Sequence, residues 1–315
     1  MLIGLVLLVA GIVLVLWGAE RFTDGALRTA ARFSLSSFYV GAVVSGFEPE
    51  NLVTGIAAAV DGLDQVALGT VIGSSIFMLT GALGLTLLLV PMDVRIPRAG
   101  PLAMAVCLTI FAAAVGDGTV SRFDGAVLAL AGLGLLVWLY RRSPVFQRTE
   151  DEDEDDEAAN EARASRARAV APLVIGVVVM LLGAELMVRG VRGLLSSAGL
   201  SETFLGMAVI GMGESLEEMA RMVVPARRGH PELAWGNVVG TVVILLALNL
   251  GLVAMIHPLT ADPIVVRLHV PFLAGCIVIV ASVLLWTHRV GWGIGGLLVA
   301  LYAIYLGLNI RHMWR

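Results

Sequence analysis

Ten apolar stretches, each long enough to cross a bilayer as a helix, follow one another along the 315 residues of the chain. They cover residues 2–18, 36–60, 66–90, 100–116, 123–140, 171–195, 202–226, 233–256, 269–286 and 290–309. The chain is 58% hydrophobic and its mean hydropathy is +0.91, far above the values of soluble domains. The sequence therefore predicts an all-α membrane protein with ten transmembrane helices.

A hydrophilic segment at residues 141–169 divides the ten spans into five and five. It contains "TEDEDEDDEAANEARASRARA", an acidic block followed by alternating arginine and alanine without an apolar face. This composition favours a solvated linker. A cation-sensing loop is the alternative, although the spacing of its acids matches no EF-hand. We expect a first five-helix repeat at 1–140 and a second at 170–315.

Two segments in the two halves align without gaps. They are "GFEPENLVTGIAAAVDGLDQVALGTVIGSS" at 46–75 and "GESLEEMARMVVPARRGHPELAWGNVVGTV" at 213–242. All four glycines of the second copy meet glycines of the first: Gly46/Gly213, Gly62/Gly229, Gly69/Gly236 and Gly73/Gly240. Because each copy has an odd number of spans, the copies would have opposite orientations in the membrane. This is the inverted-repeat plan of secondary transporters, whose binding site lies at the midplane.

Carboxylates are concentrated at the start of both copies. In the second copy, Glu214, Glu217, Glu218 and Arg221 have helical spacing and share one face. A charge near the bilayer centre costs about 2.5–3.5 kcal/mol, so these acids require protons, arginine or bound cations. Hard oxygen ligands suit Ca²⁺, Na⁺ or H⁺, which favours a cation site. In the alternative interpretation, Glu217 or Glu218 pairs with Arg221 and holds helices together.

Small and polar residues recur further along both copies. Glycines in "GTVIGSS" and "GNVVGTV" would allow helices to approach closely, but packing alone does not explain the hydroxyls at Ser74 and Thr241. We expect both hydroxyls to line the path of the ion. The predicted cation ligands are Glu48, Glu50, Asn51, Ser74, Glu214, Ser215, Glu217, Glu218 and Thr241.

These motifs resemble those of the cation/Ca²⁺ exchanger superfamily, of the Na⁺/Ca²⁺ exchanger type, whose repeats read like GTSLPE followed by GNxxGSN. "GESLEE" with "GNVVGT" is a close match, and "GFEPEN" with "GTVIGSS" is a divergent one. The resemblance implies that Glu218 is a central ion ligand, at a position where the first copy has Asn51. Met78 and Leu245 stand where the family usually has Asn or Asp. The loss of these ligands argues against a full set of sodium sites, and the extra carboxylates favour protons in place of sodium as the counter-ion.

The resemblance implies a secondary-active antiporter that exports Ca²⁺ in exchange for Na⁺ or H⁺ by alternating access. The cation would bind between Glu50 and Glu217/Glu218, while spans 2–18 and 171–195 slide to switch access. We expect inorganic cations and the lipid bilayer as partners, with no cofactor, no nucleic acid and a monomeric chain. The distribution of arginines places both termini outside the cell membrane and the 141–169 loop in the cytoplasm.

Three other interpretations stay open. The chain could carry another cation, as a Na⁺/H⁺ or other divalent-metal exchanger. It could instead be a cation-sensing membrane protein that transports nothing. An intramembrane enzyme is the third, because "GDG" at 116–118 superficially resembles an aspartyl protease motif. That motif lies at the end of a span without a paired intramembrane aspartate, so we expect a protein that is not an enzyme.

Overall fold

The structure is a computed structural model that describes residues 2–94, 96–143, 166–196 and 217–313. Glu214, Ser215 and most of the predicted linker lie outside these residues. By its internal contacts the chain divides into two compact units. The first unit combines Met1–Ser37 with Val145–His230, and the second combines Phe38–Pro144 with Pro231–Arg315. Each unit therefore contains segments from both halves of the sequence.

The described residues are almost entirely helical, with four short π-helical segments and four two-residue strands. The helices are α1 (Leu2–Phe33), α2 (Ser37–Val40), α3 (Pro49–Val60), α4 (Asp64–Phe77), α5 (Leu83–Leu89), α6 (Ala99–Val115), α7 (Arg122–Arg142), α8 (Arg166–Ser196), α9 (217–227), α10 (Pro231–Val243), α11 (Leu250–Ile256), α12 (Val270–Trp286) and α13 (Trp292–Met313). The π-helical segments are π1 (Gly41–Ser45), π2 (Met78–Ala82), π3 (Ile244–Asn249) and π4 (Val265–His269). The strands are β1 (Met92–Asp93), β2 (Thr119–Val120), β3 (Leu259–Thr260) and β4 (Arg289–Val290).

Seven helical stretches in the described ranges are long and apolar enough to cross a membrane, and α3 and α6 contribute shorter apolar helices. Two of the seven are continuous runs in which a π-helical segment joins two α-helices, α4–π2–α5 and α10–π3–α11. The chain is therefore a multi-pass membrane protein, as the sequence predicts.

In the first unit, α1 and α8 pack antiparallel with their backbones in contact. Glycines recur every seven residues along the shared seam, at Gly11, Gly18 and Gly25 on α1 and at Gly176, Gly183 and Gly190 on α8. A Cβ atom on Gly18 would lie 2.9 Å from the carbonyl oxygen of Gly176, and one on Gly11 would lie 2.6 Å from that of Gly183. Small residues allow this close approach between membrane helices. After α9, Arg228 Nη1 lies 2.6 Å from Asp24 Oδ1 of α1.

In the second unit, the predicted span 36–60 is interrupted near its middle. α2 continues into π1, which ends at Ser45, and α3 begins at Pro49. Glu48 lies in the non-helical gap with φ −116° and ψ 88°. Proline suits the first turn of a helix because its missing N–H has no intrahelical partner there. This span is therefore a broken helix, whereas the matching span 202–226 is described only from residue 217 onward.

The contacts between the two halves of the sequence recur with the halves exchanged. β1 pairs antiparallel with β4, and β2 pairs antiparallel with β3. A Cβ on Gly84 would lie 3.0 Å from the oxygen of Gly295, and one on Gly125 would lie 2.7 Å from that of Gly251. The Gly84–Gly295 contact is the counterpart of the Gly125–Gly251 contact, because Gly84 corresponds to Gly251 and Gly125 to Gly295.

The turns that follow α3 and α9 also correspond. Gly62 has φ +75° and Gly229 has φ +81°, a backbone conformation that glycine adopts without steric cost. The residue after each glycine donates its N–H to a carbonyl five residues earlier, Leu63 to Ala58 at 2.8 Å and His230 to Pro225 at 2.9 Å. The match between these glycines in the two sequence copies therefore reflects a shared helix-ending turn.

The glycines of α10 allow it to contact the broken helix directly. A Cβ on Gly240 would lie 1.9 Å from the carbonyl oxygen of Ala42, and one on Gly236 would lie 2.2 Å from that of Phe38. The predicted close approach is confirmed for these two glycines. By contrast, a Cβ added to Gly69 or Gly73 would meet no heavy atom within 4 Å among the residues that the structure describes.

Replacing Gly240 with alanine is expected to destabilise the protein by more than about 2 kcal/mol. The added methyl group meets backbone rather than a movable side chain, and overpacking of this kind typically costs about 1–3 kcal/mol or more. Gly134→Ala on α7 is the matched control, because its Cβ meets open space. Thermal unfolding in detergent should show a lower midpoint for Gly240→Ala alone; equal midpoints for both variants would contradict the packing described here.

Candidate functional site

An arginine and two glutamates form a buried ion-pair cluster on α9 of the first unit. Arg221 Nη1 donates to Glu218 Oε1 at 3.0 Å, and Nη2 donates to Glu217 Oε1. The exposed fractions of the side chains are 3% for Arg221, 7% for Glu217 and 11% for Glu218. Spacings of three and four residues place both acids within reach of the same guanidinium. The sequence left open which acid Arg221 pairs with, and the structure shows that it pairs with both.

The cluster contains two carboxyl groups and one guanidinium, all nearly buried. Charges removed from water are costly unless they are paired, and carboxylate oxygens are the ligands that hard cations prefer. The cluster could therefore accept a cation without losing its arginine.

A second polar pair lies at the break in the second unit. Glu48 is buried, with 6% of its surface exposed, and its Oε2 accepts a hydrogen bond from Asn51 Nδ2 in the first turn of α3. The non-helical backbone at Glu48 is what allows its side chain to reach forward to Asn51. Glu50 is also in the first turn of α3, and its side chain lies outside the described part of the structure.

The two predicted hydroxyl ligands lie on α4 and α10 of the second unit. Ser74 is half-buried near the end of α4, just before π2. Thr241 is fully buried near the end of α10, and its Oγ1 has no hydrogen-bond partner in the part of the chain that the structure describes. A Cβ on Gly46 would lie 2.6 Å from the backbone nitrogen of Thr241, so the start of the helix break runs beside this residue.

The structure thus brings together two sets of predicted site residues, each within its own unit. Glu217 and Glu218 meet at Arg221 in the first unit, whereas Glu48 pairs with Asn51 in the second, where Thr241 and Ser74 also lie. Glu214 and Ser215 fall outside the described residues. Within the described ranges, no group of three His, Cys, Asp or Glu side chains is placed to hold a metal.

The two π-helical segments π2 and π3 occupy corresponding positions in the two sequence copies, each beginning a few residues after a predicted hydroxyl ligand. Short π-helical insertions are rare and are frequently found at functional sites. Sequence reasoning did not predict them. The run "VVILLALNLGLV" also contains a single amide, Asn249, which is fully buried at the end of π3.

A family model described as "Sodium/calcium exchanger protein" matches residues 3–141 and 168–311 of the chain. The chain belongs to this family. The match leaves out the region of the hydrophilic linker and includes both halves, as the resemblance of the two motif copies predicts. The members of this exchanger family are transporters rather than enzymes.

Curated relatives of this exchanger-family chain match most of its length. The "Putative antiporter CaxA" of Alkalimonas amylolytica is 30% identical over 277 residues, which is 83% of each chain. The "Inner membrane protein YrbG" of Escherichia coli is 26% identical and covers 98% of this chain and 97% of its own. The "Sodium/calcium exchanger MaX1" of Methanosarcina acetivorans is 22% identical over 96% of this chain and 97% of its own.

Among solved structures, the sodium-calcium exchanger NCX_Mj without sodium and calcium has a TM-score of 0.81 to this exchanger-family chain. The match covers 98% of this chain and 99% of NCX_Mj, at 24% sequence identity. A structure of NCX_Mj in 10 mM Na⁺ has a TM-score of 0.80 over 97% and 98% of the two chains. The chain therefore has the NCX_Mj fold.

Proposed function

We propose that this protein is a secondary-active cation antiporter that exports Ca²⁺ in exchange for Na⁺ or H⁺. The observation that carries the proposal is the cluster on α9, where two buried glutamates share one guanidinium. Buried carboxylates are stabilised by a bound cation, and their oxygens are the ligands that hard cations prefer. Two comparisons support the transport of that cation. The chain belongs to the exchanger family, and one of its relatives is named as a putative antiporter.

The proposed ligands are the carboxylates and oxygen-bearing side chains that recur in the two sequence copies. They are Glu48, Glu50, Asn51, Ser74, Glu214, Ser215, Glu217, Glu218 and Thr241. Carboxylates bind a divalent metal, sodium or protons, but the same oxygens cannot hold all of them at once. Exchange follows from this competition: the cation that arrives from one side displaces the cation that leaves to the other.

The proposed architecture is ten transmembrane helices in two inverted five-helix repeats, at 1–140 and 170–315, joined by a cytoplasmic linker at 141–169. The contacts that recur with the halves exchanged, such as the β1–β4 and β2–β3 pairs, support it. The antiparallel glycine seam of α1 and α8 supports it too, because a two-fold axis in the membrane plane generates such a pair. Both termini would lie outside the cell membrane, and the chain would act as a monomer.

Flux measurements test the proposal and name the ions. Purified protein in sealed proteoliposomes should take up ⁴⁵Ca²⁺ under an imposed Na⁺ gradient or an imposed H⁺ gradient, and Glu217→Gln should reduce that uptake. Uptake of ²²Na⁺ driven by H⁺, without ⁴⁵Ca²⁺ uptake, would show an antiporter of another cation. Absence of gradient-driven uptake of either isotope, by protein shown to be folded, would overturn the antiport proposal and favour a cation-sensing protein.

A further inference from the structure

Arginines surround one end of the first unit, where α1 ends, α8 begins and α9 ends. This group, the arginine surface, consists of Arg21, Arg28, Arg32, Arg168, Arg227 and Arg228. The acidic side chains that the structure describes at this end are Glu20 and Asp24, and Asp24 already pairs with Arg228. Positive charge therefore exceeds negative charge among the described residues at this end of the unit.

Three of these arginines form a stripe on α1. Arg21, Arg28 and Arg32 are spaced by seven and four residues, which places them on one side of a helix. Arg21 is exposed, whereas Arg28 and Arg32 are half-buried. The Arg32 Nε is buried and has no hydrogen-bond partner in the part of the chain that the structure describes. A buried donor of this kind favours an occupant that supplies an acceptor oxygen.

The neighbours of α1 flank this stripe on its two sides. On one side, Thr29 Oγ1 donates to the backbone oxygen of Ala169 at 3.4 Å, so the first turns of α8 lie there with Arg168. On the other side, Asp24 pairs with Arg228 at 2.6 Å, which brings the end of α9 against α1. The arginines of the three helices therefore form one continuous surface within the first unit.

This surface lies at the level where the apolar spans end. The apolar stretch of α1 ends near Trp17, which is exposed, and the Arg21 guanidinium lies 5.2 Å from the centre of its ring. The apolar stretch of α8 begins near residue 171, directly after Ala169, which contacts Thr29. Tryptophan is enriched at the membrane–water interface, at the depth of the lipid headgroups. The arginine surface is therefore at headgroup depth.

Phosphate is the anion that phospholipids supply at this depth. The planar guanidinium binds phosphate oxygens through two parallel hydrogen bonds, and its charge is permanent. Groups of four to eight basic residues beside a transmembrane helix are typical of binding to anionic lipids. The acidic segment at 150–157 is the other occupant that charge would allow. Headgroup depth favours the lipid, because eight carboxylates would have to enter a region that anionic phosphates already occupy.

We propose that the arginine surface binds the phosphate groups of anionic phospholipids, of which phosphatidylglycerol is the simplest probe. The bound lipid would connect the end of α1 to the start of α8 and to the end of α9, and would thereby stabilise the first unit. The proposal concerns binding at the membrane surface and does not depend on the ions that the protein transports.

Thermal unfolding in mixed micelles tests the proposal, because a lipid that binds the folded state raises the unfolding midpoint. Phosphatidylglycerol should raise the wild-type midpoint saturably, and phosphatidylcholine should not. The triple variant Arg28→Gln/Arg32→Gln/Arg168→Gln should bind phosphatidylglycerol about fivefold more weakly for each arginine replaced. The triple variant with lysine at the same positions keeps the charge, and it should retain most of the response.

A second triple variant is the matched control. Arg122→Gln/Arg189→Gln/Arg267→Gln removes three exposed arginines outside the arginine surface and changes the net charge equally. Its response to phosphatidylglycerol should match that of the wild type. A wild type that responds equally to both lipids, or equal weakening in the two glutamine variants, would overturn the proposal.

Neutralising the acidic segment distinguishes the two occupants. Replacing the acids of 150–157 with glutamine and asparagine should leave the response of the wild-type arginine surface to phosphatidylglycerol in place. A response to phosphatidylglycerol that appears only after this replacement would overturn the proposal and identify the acidic segment as the occupant.

Discussion

Replacing Arg221 with glutamine is expected to make the stability of the protein depend strongly on cations. In the wild type, one guanidinium pairs with both Glu217 and Glu218, and all three side chains are nearly buried. Without it, both carboxylates lose their guanidinium partner, and breaking a buried ion pair by removing one partner typically costs about 3–5 kcal/mol. Thermal unfolding in cation-free detergent should therefore begin at a markedly lower temperature than in the wild type.

Added cations should then restore much of the loss in Arg221→Gln. A cation that binds the folded state at 100 times its dissociation constant stabilises it by about 2.7 kcal/mol, and the variant should bind more tightly because its cluster is more negative. Titration of Ca²⁺ and Na⁺ during thermal unfolding measures this directly. Destabilisation that no cation relieves would mean that the ion pair holds the helix in place and takes no part in binding.

Arg189→Gln is the matched control for Arg221→Gln. Arg189 pairs with Glu185 at the same four-residue spacing and at 2.6 Å, but the side chains are 64% and 54% exposed. An exposed pair of this kind contributes about 0.2–1 kcal/mol. Loss of the Arg189–Glu185 pair should leave the unfolding midpoint almost unchanged, with or without added cations. A cation effect that appears in Arg221→Gln alone can then be attributed to the buried carboxylates.

Replacing Glu48 with glutamine is expected to weaken cation transport while leaving the fold intact. Glutamine retains an oxygen that can accept the hydrogen bond from Asn51, so we expect the local structure at the helix break to be retained. The lost negative charge removes a charge-assisted interaction worth about 1.5–3 kcal/mol. That energy corresponds to about a ten- to hundredfold increase in the KM for the transported cation.

Glu20→Gln separates this effect from a general loss of negative charge. Glu20 is an exposed carboxylate on α1, and neutralising it changes the net charge of the protein by the same amount. Initial rates of gradient-driven uptake over a range of cation concentrations should give a raised KM for Glu48→Gln and a wild-type KM for Glu20→Gln. Equal KM values in both variants would exclude Glu48 from the site.

Several structural features could be predicted from particular residues. Pro49, with a glycine three residues before it, predicts the interruption of the span at 36–60, because proline cannot continue an existing helix. The matched Gly62 and Gly229 correspond to the two left-handed turns. The glycines of α10 predict its close approach to another helix, which the structure shows to be the broken one.

Other features depend on pairings that a linear pattern does not contain. At this helical spacing the Arg221 side chain can reach Glu217, Glu218 or the bilayer surface. The burial of the three side chains selects the conformation in which Arg221 pairs with both acids. The π-helical segments have no fixed residue signature, so their positions could not be derived from the sequence. Which spans share a compact unit also depends on contacts between distant segments, such as the seam of α1 and α8.

Equilibrium competition between cations tests most directly the claim that one carboxylate site serves two ions in turn. Binding of ⁴⁵Ca²⁺ to the purified protein would be measured at increasing Na⁺ and at decreasing pH, for the wild type and Glu218→Gln. The account predicts saturable ⁴⁵Ca²⁺ binding that Na⁺ or H⁺ displaces competitively, and a large loss of that binding in Glu218→Gln. Binding that neither ion displaces, or that persists unchanged in Glu218→Gln, would contradict it.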